Sequence, residues 1–302
     1  MSLNWVFSVY TNSFRLILAS ALLVICQCAQ AISPFDVDTG KLGLPDIRLA
    51  SVKAAVIDVT SGTPLHLKKP EVVVPIASVS KLMTAMVVLD AHLPLHNMIK
   101  VTRADRDRLK NTRSRIRFNS RLSRRDLLLL ALMSSENRAA SALGRNYPGG
   151  LKAFVKAMNN KAKKLGMANT RFVEPTGLSK KNVSTASDLV KMVLAASSYP
   201  LIQEFTTTPR FVAKIKNLRY KLQYVNTNLL VRHGRWDISL SKTGFIREAG
   251  RCLVMLTEVD GHQIVMVMLD SHGKRTPIVD AKRIKKWVAK VNNTPLLKAG
   301  LD

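Results

Sequence analysis

The chain has 302 residues, with 47 lysines and arginines against 20 aspartates and glutamates, for a net charge of +27. That length is ample for one large domain, or one domain carrying a subdomain, held by its own core. Three cysteines, two of them close together near the N-terminus, exclude a disulfide-built scaffold.

Residues 1–31 read as a secretory signal peptide. Arg15 precedes an apolar stretch, 16–26, too short to span a bilayer comfortably. Ala29-Gln30-Ala31 supplies a small-x-small cleavage site. The alternative is an uncleaved anchor, because the leading region is long and carries a single positive charge. Cleavage would leave residues 32–302 as the working domain and place it in the periplasm. It would also leave Cys252 alone, in the apolar run C-L-V-M-L, as an inert buried hydrophobe.

Residues 32–49 are a polar lead-in. A strand at 54–59, a Ser61-Gly62 turn and a strand at 64–68 follow. From Ser78 the sequence predicts a helix apolar on nearly every face, which marks burial all round. Residues 100–125 are the densest basic stretch, with Phe118 as the one aromatic residue. Ser123 and Asp126 resemble a capping box ahead of a second buried helix, 127–133. That helix gives out at Ser134-Ser135-Glu136-Asn137, and another covers 138–143.

Leu151, Phe154, Val155, Met158, Ala162 and Leu165 keep helical spacing up to Gly166. Residues 171–182 read as loop, and Ser187 as the cap of a helix over 188–196. Strands are expected at 237–243, 252–259 and 262–269, the last two joined by Asp260-Gly261 as a tight hairpin. Ala281, Ile284, Trp287, Val288 and Val291 make a basic amphipathic helix, either packed on the sheet or lying on a membrane surface. Strands at both ends and helices between them predict an α+β fold. Its antiparallel sheet is built from both ends of the chain, with flanking helices and an inserted helical region.

The chemistry starts at Ser78-Val79-Ser80-Lys81. Lys81 is the one charged residue in the run 75–89, and burial drives a lysine towards the neutral, basic amine. Ser78 lies one helical turn before it, on the same face, where free backbone N–H groups favour a developing anion. That is a nucleophile beside a base. Taken alone, Ser78 is equally read as a helix cap.

Two further triplets lift it above chance. Ser135-Glu136-Asn137 falls at the break between buried helices, and Lys242-Thr243-Gly244 closes a predicted strand. The ordered set S-x-x-K, S-x-N and K-T-G belongs to penicillin-binding proteins and class A β-lactamases. In it Ser78 is the nucleophile, Lys81 the base, and Ser135 a proton relay to the leaving nitrogen. Asn137 holds a substrate amide and orients Lys81, Lys242 and Thr243 hold a substrate carboxylate, and Gly244 lets the strand edge approach closely. The oxyanion rests on the N–H of Ser78 and an N–H of the strand bearing Lys242. No metal or cofactor is expected.

The chain resembles the D-alanyl-D-alanine peptidases of the low-molecular-mass penicillin-binding proteins, and within them the endopeptidases. P-I-A-S-V-S-K-L-M-T-A, L-L-A-L-M-S-S-E-N-R-A-A, R-F-V-E-P-T-G-L-S and I-S-L-S-K-T-G-F-I-R-E-A-G-R-C-L-V-M carry the resemblance, over roughly 52–287. It implies a β-lactamase/transpeptidase-like fold, an acyl-enzyme on Ser78, and peptidoglycan cross-links as substrate with β-lactam antibiotics as covalent inhibitors. Two departures matter. Only a short tail follows Trp287, where carboxypeptidases of the group append a β-rich domain and an anchor. Glu174 is followed by P-T-G-L-S, without the E-x-x-L-N pattern of a deacylating β-lactamase glutamate.

The charge points to anionic envelope polymers as partners; nucleic acid is not expected of an exported chain whose basic run lacks interleaved aromatics. A carboxypeptidase with the same site residues, and a non-catalytic polyanion-binding envelope protein, are the alternative functions.

Overall fold

The computed structural model describes residues 44–215 and 221–292. The expected signal peptide lies outside them. Among the described residues no helix is long and apolar enough to cross a membrane.

The first strands among the described residues are β1 (Lys53–Asp58) and β2 (Pro64–Lys68), where strands are expected at 54–59 and 64–68. A two-residue strand β3 (Val74–Pro75) leads into a 3-10 turn, Ala77–Ser80, and then α1 (Lys81–Asp90). Ser78 therefore sits in the tight turn before the α-helix and not at the helix start itself. β4 (Met98–Lys100) pairs with β5 (Arg121–Ser123), closing off the basic loop between them. Ser123 then caps α2 (Arg124–Met133), its hydroxyl accepting from the Asp126 N–H at 3.0 Å.

α3 (Asn137–Arg145) and α4 (Gly150–Lys164) follow, and Gly166 takes a positive φ of 68° where the latter ends. β6 (Val183–Ser184) pairs with β3, and α5 (Ala186–Ser197) comes next. Its cap is Thr185, not Ser187: the Thr185 hydroxyl takes the Asp188 N–H at 3.1 Å, whereas the Ser187 hydroxyl donates to Glu71.

The stretch from 197 to 236 shows no clear hydrophobic period, yet it holds α6 (Pro200–Thr207), β7 (Arg210–Ala213), β8 (Leu222–Val225) and α7 (Leu229–His233). Each is short and leans on tertiary neighbours, so its pattern is weak. The chain ends in β9 (Ile238–Ile246), β10 (Gly250–Val259), β11 (His262–Ser271) and α8 (Thr276–Asn292). β9 runs past the K-T-G triplet, which lies inside the strand and does not end it.

The main sheet has the order β2-β1-β11-β10-β9, with every neighbouring pair antiparallel. The first two strands of the chain thus complete a sheet begun by the last three. Alternation along β11 divides the core: Val265, Val267 and Leu269 face the inserted helices, while Ile264, Met266 and Met268 face α8. Both faces are covered, which is why β10 and β11 read as nearly continuous apolar runs. The apolar stripe of α8 packs on the sheet, with Ala281, Ile284 and Val288 fully buried and the Trp287 Nε1–H donating to Pro45 O at 2.8 Å. That disposes of a membrane-surface role for this face. β9 is an edge strand, and the turn carrying Ser78 abuts it.

Candidate active site

Ser78, Lys81, Ser135, Asn137, Lys242, Thr243 and Gly244 come from three separate stretches of the chain and converge on one cleft. Five of them, Ser78, Ser135, Asn137, Thr243 and Gly244, line a cavity of about 570 Å3. Lys81 and Lys242 lie beneath it, 0% and 1% exposed.

Lys81 is held by three acceptors: Thr176 O at 2.6 Å, Asn137 Oδ1 at 2.7 Å and Ser78 Oγ at 2.9 Å. An ammonium has three donors and satisfies all three. The neutral amine has two N–H donors and one lone pair. The two carbonyl oxygens can only accept, so they claim both N–H groups. The lone pair is then left facing Ser78 Oγ, the one partner with a proton to give. Burial lowers the Lys81 pKa to about 8, against the opposing pull of Glu174 and Glu136.

Two glycines clamp the turn that presents Ser78. A Cβ on Gly177 would stand 1.9 Å from Ala77 O, and one on Gly244 would stand 2.9 Å from Ser78 N. Any side chain at either position forces the backbone apart. Ala77 and Ser135 both take left-handed backbone, φ 48° and 59°, a strain on the order of 1 kcal/mol each that the packed surroundings hold in place.

The loop across from Ser78 is rigid for reasons that lie in Glu174. Its Oε2 accepts from Thr176 N and Oγ1, at 2.6 and 2.5 Å; its Oε1 accepts from Gly177 N and Ser179 N, at 2.7 and 3.2 Å. Asn182 Nδ2 ties the same loop to Ser80 Oγ at 3.1 Å and to Glu174 O at 2.8 Å. Glu174 is thereby committed to shaping the loop whose Thr176 carbonyl holds Lys81. All its acceptor capacity is engaged, so it is not placed to activate a water as a β-lactamase glutamate does.

Lys242 donates to Ser135 Oγ at 3.1 Å and to Thr243 O at 2.9 Å. Burial and then the charge of Lys81 hold its pKa well below the ordinary lysine value. Ser135 is thus fixed by Lys242, where the sequence motif suggested only Lys81. Thr243 Oγ1 donates to Thr227 Oγ1 at 2.6 Å. The rim of the cleft is basic, with Arg232, Arg251, Lys274 and Arg275. Cys252 is buried, its thiol pushed up to about 12 by burial.

Sequence reasoning missed Thr112, Thr176 and Thr227. Thr112 is 25 positions from Asn137, in a run where charge dominates, and Thr176 acts through its backbone carbonyl. Neither leaves a local signal. Among the described residues no cluster of His, Cys, Asp and Glu is arranged to hold a metal.

The family of D-alanyl-D-alanine carboxypeptidases matches residues 42–273. The D-alanyl-D-alanine endopeptidase of Escherichia coli is 51% identical over 254 residues, 84% of this chain and 82% of that protein. That of Pseudomonas aeruginosa is 48% identical over 275 residues, 91% of this chain and 88% of that protein. Among solved structures, a Streptomyces DD-transpeptidase superposes with a TM-score of 0.75 at 27% identity, covering 81% of this chain and 98% of that one.

The buried lysine makes stability depend on pH with a definite sign. Its folded pKa of about 8 lies below the unfolded value of 10.5, so between these the unfolded chain binds more protons. The cost of burying Lys81 is therefore fully present below about pH 8 and is relieved as pH rises towards 10.5. Urea unfolding at pH 8 and pH 10 should show wild type gaining on Lys81→Met by on the order of 2 kcal/mol. Parallel changes in the two proteins would show that Lys81 titrates normally in the fold.

Proposed function

This chain belongs to the D-alanyl-D-alanine carboxypeptidase family of peptidases, and we propose that it is a serine D-alanyl-D-alanine endopeptidase cutting the peptide cross-links of peptidoglycan. The observation that carries this is the Lys81 Nζ to Ser78 Oγ contact of 2.9 Å, with the amine's other two bonds spent on carbonyl oxygens.

The reaction runs as acyl transfer. Ser78 Oγ attacks the carbonyl of the D-alanyl residue while its proton passes to the Lys81 lone pair. The oxyanion forms against the N–H of Ser78 and the edge of β9, which Gly244 allows to come close. Lys81 returns the proton through Ser135 to the leaving nitrogen, and the C–N bond breaks. Water then attacks the ester carbonyl, its proton going to Lys81 and on to Ser78 Oγ as the acid leaves. Lys242, Thr243 and the basic rim receive the substrate's carboxylates. Asn137 holds the substrate amide from the side opposite β9.

An arriving carboxylate favours the charged form of Lys242. Two buried ammonium groups repel, so a charged Lys242 favours the neutral, basic form of Lys81. Substrate binding and base activation are coupled in that way.

Endopeptidase is preferred over carboxypeptidase because the two relatives near half identity are endopeptidases. The leaving group of a cross-link is a D-amino centre still attached to a second peptide, and the open cleft at the β9 edge accommodates one. The enzyme works in the periplasm, exported by residues 1–31, and anionic polymers of the envelope hold it through its positive surface.

A β-lactam mimics the acylating terminus, so penicillin should add its mass once, on Ser78, and persist there because Glu174 cannot serve deacylation. Intact-protein mass spectrometry checks this; Ser78→Ala and Lys81→Ala should each abolish the adduct. An adduct on Ser78→Ala would overturn the mechanism.

Muropeptide chromatography over time should show cross-linked dimers converted to monomers faster than pentapeptides lose D-alanine. The reverse order would make the protein a carboxypeptidase.

Sedimentation with purified cell walls should be strong at low salt and weak at high salt, because exposed charges are screened beyond about 8 Å at physiological ionic strength. Salt-independent binding would leave the positive charge as a solvated surface only.

A further inference from the structure

The direction of the Lys81 lone pair depends on Asn137 presenting its oxygen, and an amide can sit either way round. Turned over, it would offer an N–H to Lys81, which would take up the lone pair meant for Ser78. Something must decide between the two orientations.

The amide nitrogen of Asn137 donates to Thr112 Oγ1 at 3.1 Å. Thr112 has one hydroxyl proton, and it goes to Asp107 Oδ2 at 2.7 Å. The same oxygen takes the Thr112 N–H at 2.8 Å, while Asp107 Oδ1 takes the N–H groups of Leu109 and Lys110 at 2.8 and 3.0 Å. An ionised carboxylate can only accept. Burial alone would raise the Asp107 pKa, but the backbone N–H groups of Lys110 and Thr112 and the Thr112 hydroxyl outweigh it and hold it below the usual value. With its proton spent on Asp107, Thr112 can only accept from Asn137. A reversed Asn137 would set oxygen against oxygen at Thr112 and N–H against N–H at a protonated Lys81. Both ends of the amide oppose the flip.

We propose that Asp107 and Thr112 are positioning residues for acylation: a chain of one-way hydrogen bonds, Asp107–Thr112–Asn137–Lys81, aims the Lys81 lone pair at Ser78. The chain rests on the assignment of Lys81 as base. It gives the basic loop between β4 and β5 a part in the chemistry beyond its charge. The Asp107 carboxylate, set among many cations, spends its acceptor capacity on backbone N–H groups and Thr112.

The test is the pH profile of Ser78 acylation by a fluorescent penicillin, for wild type, Thr112→Val, Thr112→Ser and Asp107→Asn. Thr112 is exposed on its loop, so its variants should fold. In Thr112→Val the amide loses its acceptor and turns. The acylation rate should fall by about tenfold, the scale of a lost positioning contact. Its pH midpoint should move below the wild-type value, because an N–H facing Lys81 disfavours the ammonium. Asp107→Asn should shift both in the same directions, since it frees the Thr112 proton. Thr112→Ser should restore rate and midpoint.

A role in loop scaffolding alone predicts something else: a slower rate with the midpoint unmoved, or raised towards the ordinary lysine value as water enters. Either result, or variants that acylate like wild type, would overturn the proposal. Wild type that never labels on Ser78 would overturn the functional assignment beneath it.

Discussion

The site depends on a buried lysine to which, among the described residues, no carboxylate is bonded. A buried ammonium with no counter-ion is costly, and the usual remedy is an ion pair. Here the fold offers two carbonyl oxygens and a hydroxyl instead. Carbonyls satisfy N–H groups without fixing the charge, so the lysine is free to be neutral. A carboxylate in either place would have held it protonated and useless as a base. Glu174 and Glu136 act on Lys81 from a distance, and burial outweighs them.

The rest of the architecture keeps that arrangement in register. The nucleophile turn is pinned between Gly177 on one side and Gly244 on the other, where a side chain would collide with backbone. Glu174 spends its carboxylate on the loop that supplies the Thr176 carbonyl. Ser135, in left-handed backbone at the α2–α3 break, is anchored by the second buried lysine. These contacts join segments as far apart in sequence as Ser78 and Gly244. Precision at the reacting atoms comes from the five-stranded sheet and the helical insert meeting along the edge of β9.

Two buried lysines in one cleft also separate catalysis from charge. Lys81 and Lys242 add nothing to the large positive surface, because both are buried. The basic loop between β4 and β5 joins the two roles. Its arginines are exposed, while Thr112 accepts from the Asn137 amide and donates to Asp107.

Much of this was legible in the chain. Short apolar runs on either side of the Ser61-Gly62 turn gave away β1 and β2, and long apolar runs gave away β10, β11 and the buried helices. The anomaly of Lys81 in an apolar run marked it as a buried lysine before any geometry was known. The short elements between 197 and 236 were not legible, because each takes its shape from neighbours and has too few residues to show a period. The sequence offered Ser187 as the cap of α5, and the fold uses the Thr185 hydroxyl instead. By itself the sequence determined which residue types stand ready and in what order, since burial and hydroxyl chemistry are properties of local composition. Which way the lone pair points was decided by tertiary structure alone. Thr176 and Asn137 reach Lys81 across the fold, with Thr112 and Asp107 bonded in turn behind Asn137, and a hydrogen bond's direction belongs to the pair that makes it.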